Sequence, residues 1–339
     1  MRSHTARAAA AALLVAACSN SSKLQDTTSH GTAGANSDTA ALSAMRSDTA
    51  GSRGGANGAT KVKDIGGFST PESVKWDAAS GYWFVSNING MPPAKDGNGF
   101  ISRLTRDGVI DSLHFISGGK NGVTLNAPKG MAIIGDTLFV ADIDAIRAFN
   151  KTTGAAIRSW DVSKQGAKFL NDVAVTPNGD VYITDTQVAF KADGSVSHTG
   201  TDRIFMLSRD RKGASIAVQS DSLGRPNGIA WDSQNNRLIV VPFGAGVIHA
   251  VDPTGKSALA TIAHGKGQFD GVEVLPDGRI LVSSWADSSV SVVTGDSLVR
   301  VIGGVEAPAD IGFDSKRMRL AIPMFNAGKV DIWHVGPAK

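Results

Sequence analysis

The sequence predicts an all-β fold, a six-bladed β-propeller, on three observations. First, a short cassette returns six times, beginning Pro71-Glu72-Ser73-Val74, Pro128-Lys129-Gly130-Met131, Leu170-Asn171-Asp172-Val173, Pro226-Asn227-Gly228-Ile229, Phe269-Asp270-Gly271-Val272 and Ala309-Asp310-Ile311-Gly312. The copies start 40 to 57 residues apart, a period that belongs to radial arrays of short strands. Second, Asn87, Asp142, Asp185, Pro242, Ser284 and Pro323 follow the cassettes in turn, 13 to 15 residues after the second position of each. Third, turn residues such as Pro177-Asn178-Gly179-Asp180 and Ser233-Gln234-Asn235-Asn236 separate β-branched and aromatic runs, which is how hairpins are written.

The chain divides in order. Residues 1–17 read as a signal peptide, with Arg2 and Arg7 ahead of an alanine-rich apolar stretch from Ala8 to Ala17. That stretch is too short for a helix crossing a bilayer core of ~30 Å, so export is the better reading. It ends Leu14-Val15-Ala16-Ala17-Cys18-Ser19, which resembles a bacterial lipoprotein signal, and Cys18 is the expected site of lipidation. Cys18 is the single cysteine, so no disulfide within the chain is available to staple the fold. Residues 18–60 are rich in Ser, Thr, Ala, Gly and Asn and hold no aromatic residue. Such a segment cannot bury enough apolar surface to offset its ordering entropy and is expected to be a flexible tether. Residues 61–339 are the propeller.

Within the propeller, each cassette opens an inner strand, followed by a turn and a second strand. Two further strands follow in most copies, as at 246–251 and 258–263. Four strands per unit and six units make the ring. The sixth unit lacks an outermost strand, while Lys61-Val62-Lys63-Asp64-Ile65-Gly66-Gly67 resembles the outer strands of the other units. These residues are expected to complete the last blade and close the ring, removing two unpaired edges.

The repeated second positions are Glu72, Lys129, Asn171, Asn227, Asp270 and Asp310. Equivalent positions on inner strands gather at one mouth of the channel, and Asn87, Asp142, Asp185 and Ser284 are expected nearby. Glu72, Asn171, Asn227 and Asp270 would converge as two carboxylates and two amide oxygens. Hard oxygen donors suit Ca²⁺, Mg²⁺ or Mn²⁺, and a structural zinc site would want Cys or His.

These residues carry a resemblance. The region from about 61 to 339 resembles the SMP-30/gluconolactonase family and, more distantly, the paraoxonase lactonases. The stretches involved are Pro71-Glu72-Ser73-Val74-Lys75-Trp76-Asp77, Asn171-Asp172-Val173-Ala174-Val175, Arg225-Pro226-Asn227-Gly228-Ile229-Ala230 and Phe269-Asp270-Gly271-Val272. The resemblance implies a divalent cation in the channel and hydrolysis of a lactone or ester. It places Glu72, Asn227 and Asp270 at the metal-ligand positions and Asn171 at a fourth-ligand or substrate-side position. Ca²⁺ is the expected ion, with Zn²⁺, Mn²⁺ and Mg²⁺ as alternatives. Asp270, or its neighbour Asp172, would take a proton. Lys129 departs from the paraoxonase-like pattern, which carries a histidine there. It faces Asp270 across a six-fold ring and would either pair with it in place of a metal or position and protonate substrate. Asp310 is an accessory carboxylate. The same repeat is shared by NHL-type propellers without catalysis, so the alternative is a binder of a ligand, glycan or protein at the channel mouth.

Other classes find little support. The net charge of +3 and the absence of a basic patch give nothing for nucleic acid to bind. Ala250-Val251-Asp252-Pro253-Thr254-Gly255-Lys256-Ser257 fits a loosened phosphate loop, but no helix follows to face the phosphates, and no nucleotide is expected. No Gly-x-Ser-x-Gly elbow occurs. The six tryptophans read as core packing. A monomer attached to a membrane only through its lipid is the expected state.

Overall fold

The structure is a computed structural model, and it describes residues 58–191 and 195–336. The signal peptide, Cys18 and nearly all of the tether lie outside the described residues. Six four-stranded antiparallel sheets stand around a common channel, so the six-bladed propeller is the observed fold. The inner strands are Pro71–Asp77, Pro128–Ile134, Leu170–Val175, Pro226–Asp232, Phe269–Val274 and a short Gly312–Asp314. The two 3-10 turns, Ser163–Gln165 and Asp221–Leu223, are the helical elements among the described residues.

In the sixth sheet the order from the channel outward is Gly312–Asp314, Arg319–Met324, Lys329–His334 and Thr60–Gly66. Thr60–Gly66 pairs antiparallel with Lys329–His334, with Asp64 opposite Asp331. On the channel side a parallel bridge joins Ser73 to Asp310, and the Val74 N–H donates to the Asp310 carbonyl at 3.1 Å.

Apolar side chains fill the spaces between neighbouring blades. One such layer holds Phe84, Ile101, Leu125 and Met131, all without exposed surface. Burying an aliphatic or aromatic side chain of this size contributes about 1.5–3 kcal/mol, and the repetition of these layers explains how the fold stands without disulfides. The cassette glycines serve the innermost layer. A Cβ on Gly130 would lie 2.4 Å from the Asp172 Cα, and one on Gly271 would lie 2.5 Å from the Ile311 amide nitrogen. Only a residue without a side chain lets adjacent inner strands approach this closely.

The cassettes share a second device. In the first five, the pairing to the second strand slips by one residue at the repeated position, for example between Pro71 and Ser73 opposite Asn87 and Ser86. Such a β-bulge leaves one residue out of the ladder and re-aims its side chain. The repeated position therefore faces the channel because the strand gives way there.

Blade 3 carries an addition that the repeat did not announce. Between its second strand, Val181–Asp185, and third, Arg203–Leu207, a two-stranded ribbon forms from Val188–Phe190 and Val196–His198. It rises over the channel mouth.

Candidate active site

At that mouth lies a pocket of about 800 Å³, its open entrance included. Five of the six repeated positions line it: Glu72, Lys129, Asn171, Asn227 and Asp270. Asp310 does not. It sits deeper, where Ser73 Oγ donates to its Oδ2 at 2.5 Å and Lys75 Nζ to its Oδ1 at 3.2 Å.

The four oxygen-bearing residues are buried, and three of them carry an unsatisfied oxygen. Glu72 Oε2, Asn171 Oδ1 and Asp270 Oδ1 have no hydrogen-bond partner among the described residues. A buried acceptor without a partner costs about 1–3 kcal/mol, more when it is charged. Three gathered in one pocket are therefore the signature of a group that binds from outside. Among the described residues, no three or more His, Cys, Asp and Glu side chains are placed to hold a metal. This set relies instead on two carboxylates and two amides. An oxygen-only donor set of that kind fits a hard divalent cation.

The electrostatics agree. Burial raises the Glu72 carboxyl well above the usual range, and the charges of Asp270 and Asp310 add to the rise, with Lys129 opposing it. Burial also raises Asp270, again with Asp310 adding. The Trp285 and Asn227 side chains approach Asp270 and oppose that rise, yet Asp270 Oδ1 and the Trp285 ring N–H lack a hydrogen bond of normal geometry. A cation among these oxygens would relieve the strain of like charges held out of water.

The orientation of Asn171 is fixed by a residue the sequence did not flag. Its amide nitrogen donates to Thr186 Oγ1 at 3.1 Å, and the Thr186 hydroxyl donates to the Pro226 carbonyl at 2.8 Å. This chain turns the amide nitrogen away and leaves the oxygen facing the pocket.

Three expectations are corrected. Lys129 is fully buried but makes no ion pair with Asp270. Its ammonium donates to the carbonyls of Ala127 at 3.2 Å and Pro92 at 3.4 Å, and rests 4.2 Å from the centre of the Phe169 ring. Burial pushes its pKa down to about 8, against the pull of Glu72, Asp142 and Asp144. Asp172 does not line the pocket, because its carboxylate turns to accept the N–H groups of Ile229 at 2.8 Å and Val173 at 2.7 Å. The landmarks Asn87, Asp142 and Asp185 also turn away. Each accepts backbone N–H groups from the segment leading into its own cassette, as Asp142 does from Asn126 and Ala127. The residue after a landmark faces the pocket instead: Ile88, Thr186, Phe243 and Trp285. Trp285 is thus a pocket residue and not only core packing. A search one position past each landmark would have found all four.

Comparison with known proteins follows the geometry. Residues 70–313 match the family model described as the SMP-30/Gluconolactonase/LRE-like region. No curated protein sequence matches the chain. Among solved structures, a gluconolactonase from Xanthomonas campestris is similar at 17% identity, over 82% of this chain and 89% of that one, with a TM-score of 0.59. A luciferin-regenerating enzyme is similar at 12% identity, over 81% and 94%, with a TM-score of 0.60. A chain of a nidogen/laminin complex is similar at 19% identity, over 69% and 80%, with a TM-score of 0.53. At these identities the structural likeness speaks for the fold alone.

Proposed function

Because the chain belongs to the SMP-30/gluconolactonase/LRE-like family, we propose that it hydrolyses a lactone or ester with a divalent cation held by Glu72, Asn171, Asn227 and Asp270. The observation that carries this reading is the group of three buried, partnerless oxygens in one pocket. Ca²⁺ suits a mixed carboxylate and amide set best, with Mn²⁺, Mg²⁺ and Zn²⁺ as alternatives. When bound, the cation supplies Lewis-acid polarisation of the substrate carbonyl and stabilises the charge that develops on its oxygen.

The chain's own residues do the remaining work. Asp270 is the base, since its free Oδ1 faces the pocket, where it can take a proton from the attacking water. Lys129 lines the same pocket from another blade, and with burial bringing its pKa down to about 8 it is suited to give a proton to the departing alkoxide. Thr186 keeps the Asn171 oxygen aimed inward. Ile88 and Pro92 bring the loop after the second strand of blade 1 to the rim, where it limits what enters.

The test is metal analysis of the purified chain beside a panel of lactones and esters. Turnover that disappears with a chelator and returns with added Ca²⁺ or Mn²⁺ supports the reading. Turnover that survives both chelation and Asp270→Ala removes it, and a chain with neither metal nor turnover is a noncatalytic binder. Export through residues 1–17, lipid attachment at Cys18 and a monomeric state belong to the same proposal. Mass analysis of the processed N-terminus and light scattering check them.

A further inference from the structure

The reading above leaves the substrate open, and the pocket wall narrows it. Leaving aside the four cation-binding residues, four side chains with a polar group reach the pocket, and two are committed to partners of their own. Lys129 donates to two carbonyls, and the Thr186 hydroxyl both donates to Pro226 and accepts from Asn171. The Arg225 guanidinium has no hydrogen bond or ion pair among the described residues, and the Trp285 ring N–H, turned toward Asp270, has no hydrogen bond of normal geometry. The guanidinium lies across Gly244, where a Cβ would meet its Nε at 2.1 Å.

The rest of the wall is apolar and largely aromatic. The Phe169 ring lies 5.5 Å from that of Phe190, which the blade 3 ribbon brings over the mouth. Opposite them, Phe243 stands edge-on to Trp285 at 5.6 Å, and Phe325 lies 5.3 Å from Trp285. Ring pairs in these tilted and edge-on arrangements form stiff faces for another flat or branched apolar group.

We infer that the substrate is a lactone or ester whose non-reacting part is apolar, aryl or branched alkyl, and not a polyhydroxylated sugar lactone. This rests on the hydrolase reading for the reacting bond and on the wall for everything else. A sugar lactone would set several hydroxyls against rings and aliphatic side chains, with the Arg225 guanidinium and the Trp285 ring N–H as the two free donor groups to meet them. Each hydroxyl buried without a partner lowers affinity roughly tenfold or more. An aryl group meets no such penalty and gains by leaving water.

The experiment compares kcat/KM of the full chain, saturated with cation, for two six-membered lactones. Dihydrocoumarin carries a fused aryl ring, and glucono-δ-lactone carries hydroxyls. The expected preference for the aryl lactone is about a hundredfold, and equal rates or a preference for the sugar lactone overturn the inference while leaving the hydrolase reading intact. Phe190→Ala narrows the aryl-to-sugar ratio about tenfold. The ratio corrects for any loss of folded protein, and a ratio that does not move counts against the wall. If neither lactone turns over, binding of the inert lactam 3,4-dihydro-2-quinolinone against gluconolactam is measured by calorimetry. Tighter binding of the aryl lactam then keeps the apolar pocket and removes the hydrolase, whereas no preference removes the pocket as well.

Discussion

The channel holds two clusters of buried oxygens, and they are finished differently. At the ribbon-covered mouth, Glu72, Asn171 and Asp270, beside Asn227, leave oxygens with no partner among the described residues. Deeper, Asp172 and Glu273, further along two of the same inner strands, and Asp310, just ahead of the sixth, surround a cation that the chain supplies. Lys75 Nζ lies 3.2 Å from Asp310 Oδ1, 3.5 Å from Glu273 Oε1 and 3.2 Å from the Ile311 carbonyl. Burial works against that ammonium, but Asp310, Glu273 and Asp172 more than offset it and hold the Lys75 pKa above its ordinary value. The Asp172 and Asp310 carboxyls approach one another, and burial with the Asp310 charge raises Asp172 well above the carboxylate range. One scaffold thus makes a self-neutralised plug and an incomplete cage. The difference is where a lysine points, not the backbone: Lys75 reaches its carboxylates, whereas Lys129 is held by the Ala127 and Pro92 carbonyls.

If that contrast is right, the two clusters answer differently to substitution. The largest effect belongs to the mouth. Glu72→Ala or Asn227→Ala should cut lactone or ester turnover on the order of a thousandfold, the rate equivalent of several kcal/mol, and lower bound metal with little change in thermal midpoint once chelator is present. A similar loss of midpoint with and without metal would erase the distinction. Next comes Lys75→Met, which leaves buried carboxyls without their cation. It should cost about 3–5 kcal/mol by denaturant unfolding at pH 8 and less at pH 5, where those carboxyls can take up protons. A loss independent of pH would mean that packing, not charge, is what Lys75 provides.

Thr186→Val removes the hydroxyl that orients Asn171. It should weaken cation affinity roughly ten- to a hundredfold in a direct titration, the usual range for groups that position ligands. An unchanged affinity would show that Asn171 needs no such support. The smallest effect is on pH dependence. Burial first, with Asp310 adding and Lys75 opposing, brings the Glu273 carboxyl up to about 7 from an ordinary 4.5. A raised acid favours the folded state when protonated, so its contribution is complete below about 4.5 and is lost as pH rises through about 7. Glu273→Gln should flatten the fall in stability across that window relative to the parent chain. An identical slope in both proteins would place the titration elsewhere.

How much of this could be read beforehand depends on how local each signal is. The blades were legible because turns such as Pro177-Asn178-Gly179-Asp180 and alternating strands act within a few residues. The mouth was legible through Glu72, Asn171, Asn227 and Asp270, because six-fold repetition converts sequence position into a place in space. The direction of a side chain at a strand end was harder. Asp185 and Thr186 are adjacent, yet one accepts the Phe169 N–H while the other reaches the pocket. Nothing local marks Lys75 as the cation of the deeper cluster, since its partners Glu273 and Asp310 lie about two hundred residues away. Lys129 was placed opposite Asp270 by symmetry alone. Carbonyls of Ala127 and Pro92 and the Phe169 face captured it instead. The Val188–Phe190 and Val196–His198 ribbon escaped because it breaks the repeat.

The bulge at each cassette has a consequence for how such a protein can be rewritten. A residue left out of the strand ladder contributes little to holding the sheet together, so exchanging it edits the pocket's chemical text while the page stays bound. Five such positions surround one pocket, each on a different blade. A library varying Glu72, Lys129, Asn171, Asn227 and Asp270 together would therefore be expected to keep most members folded. It would scan cation cages, proton donors and inert linings on one scaffold.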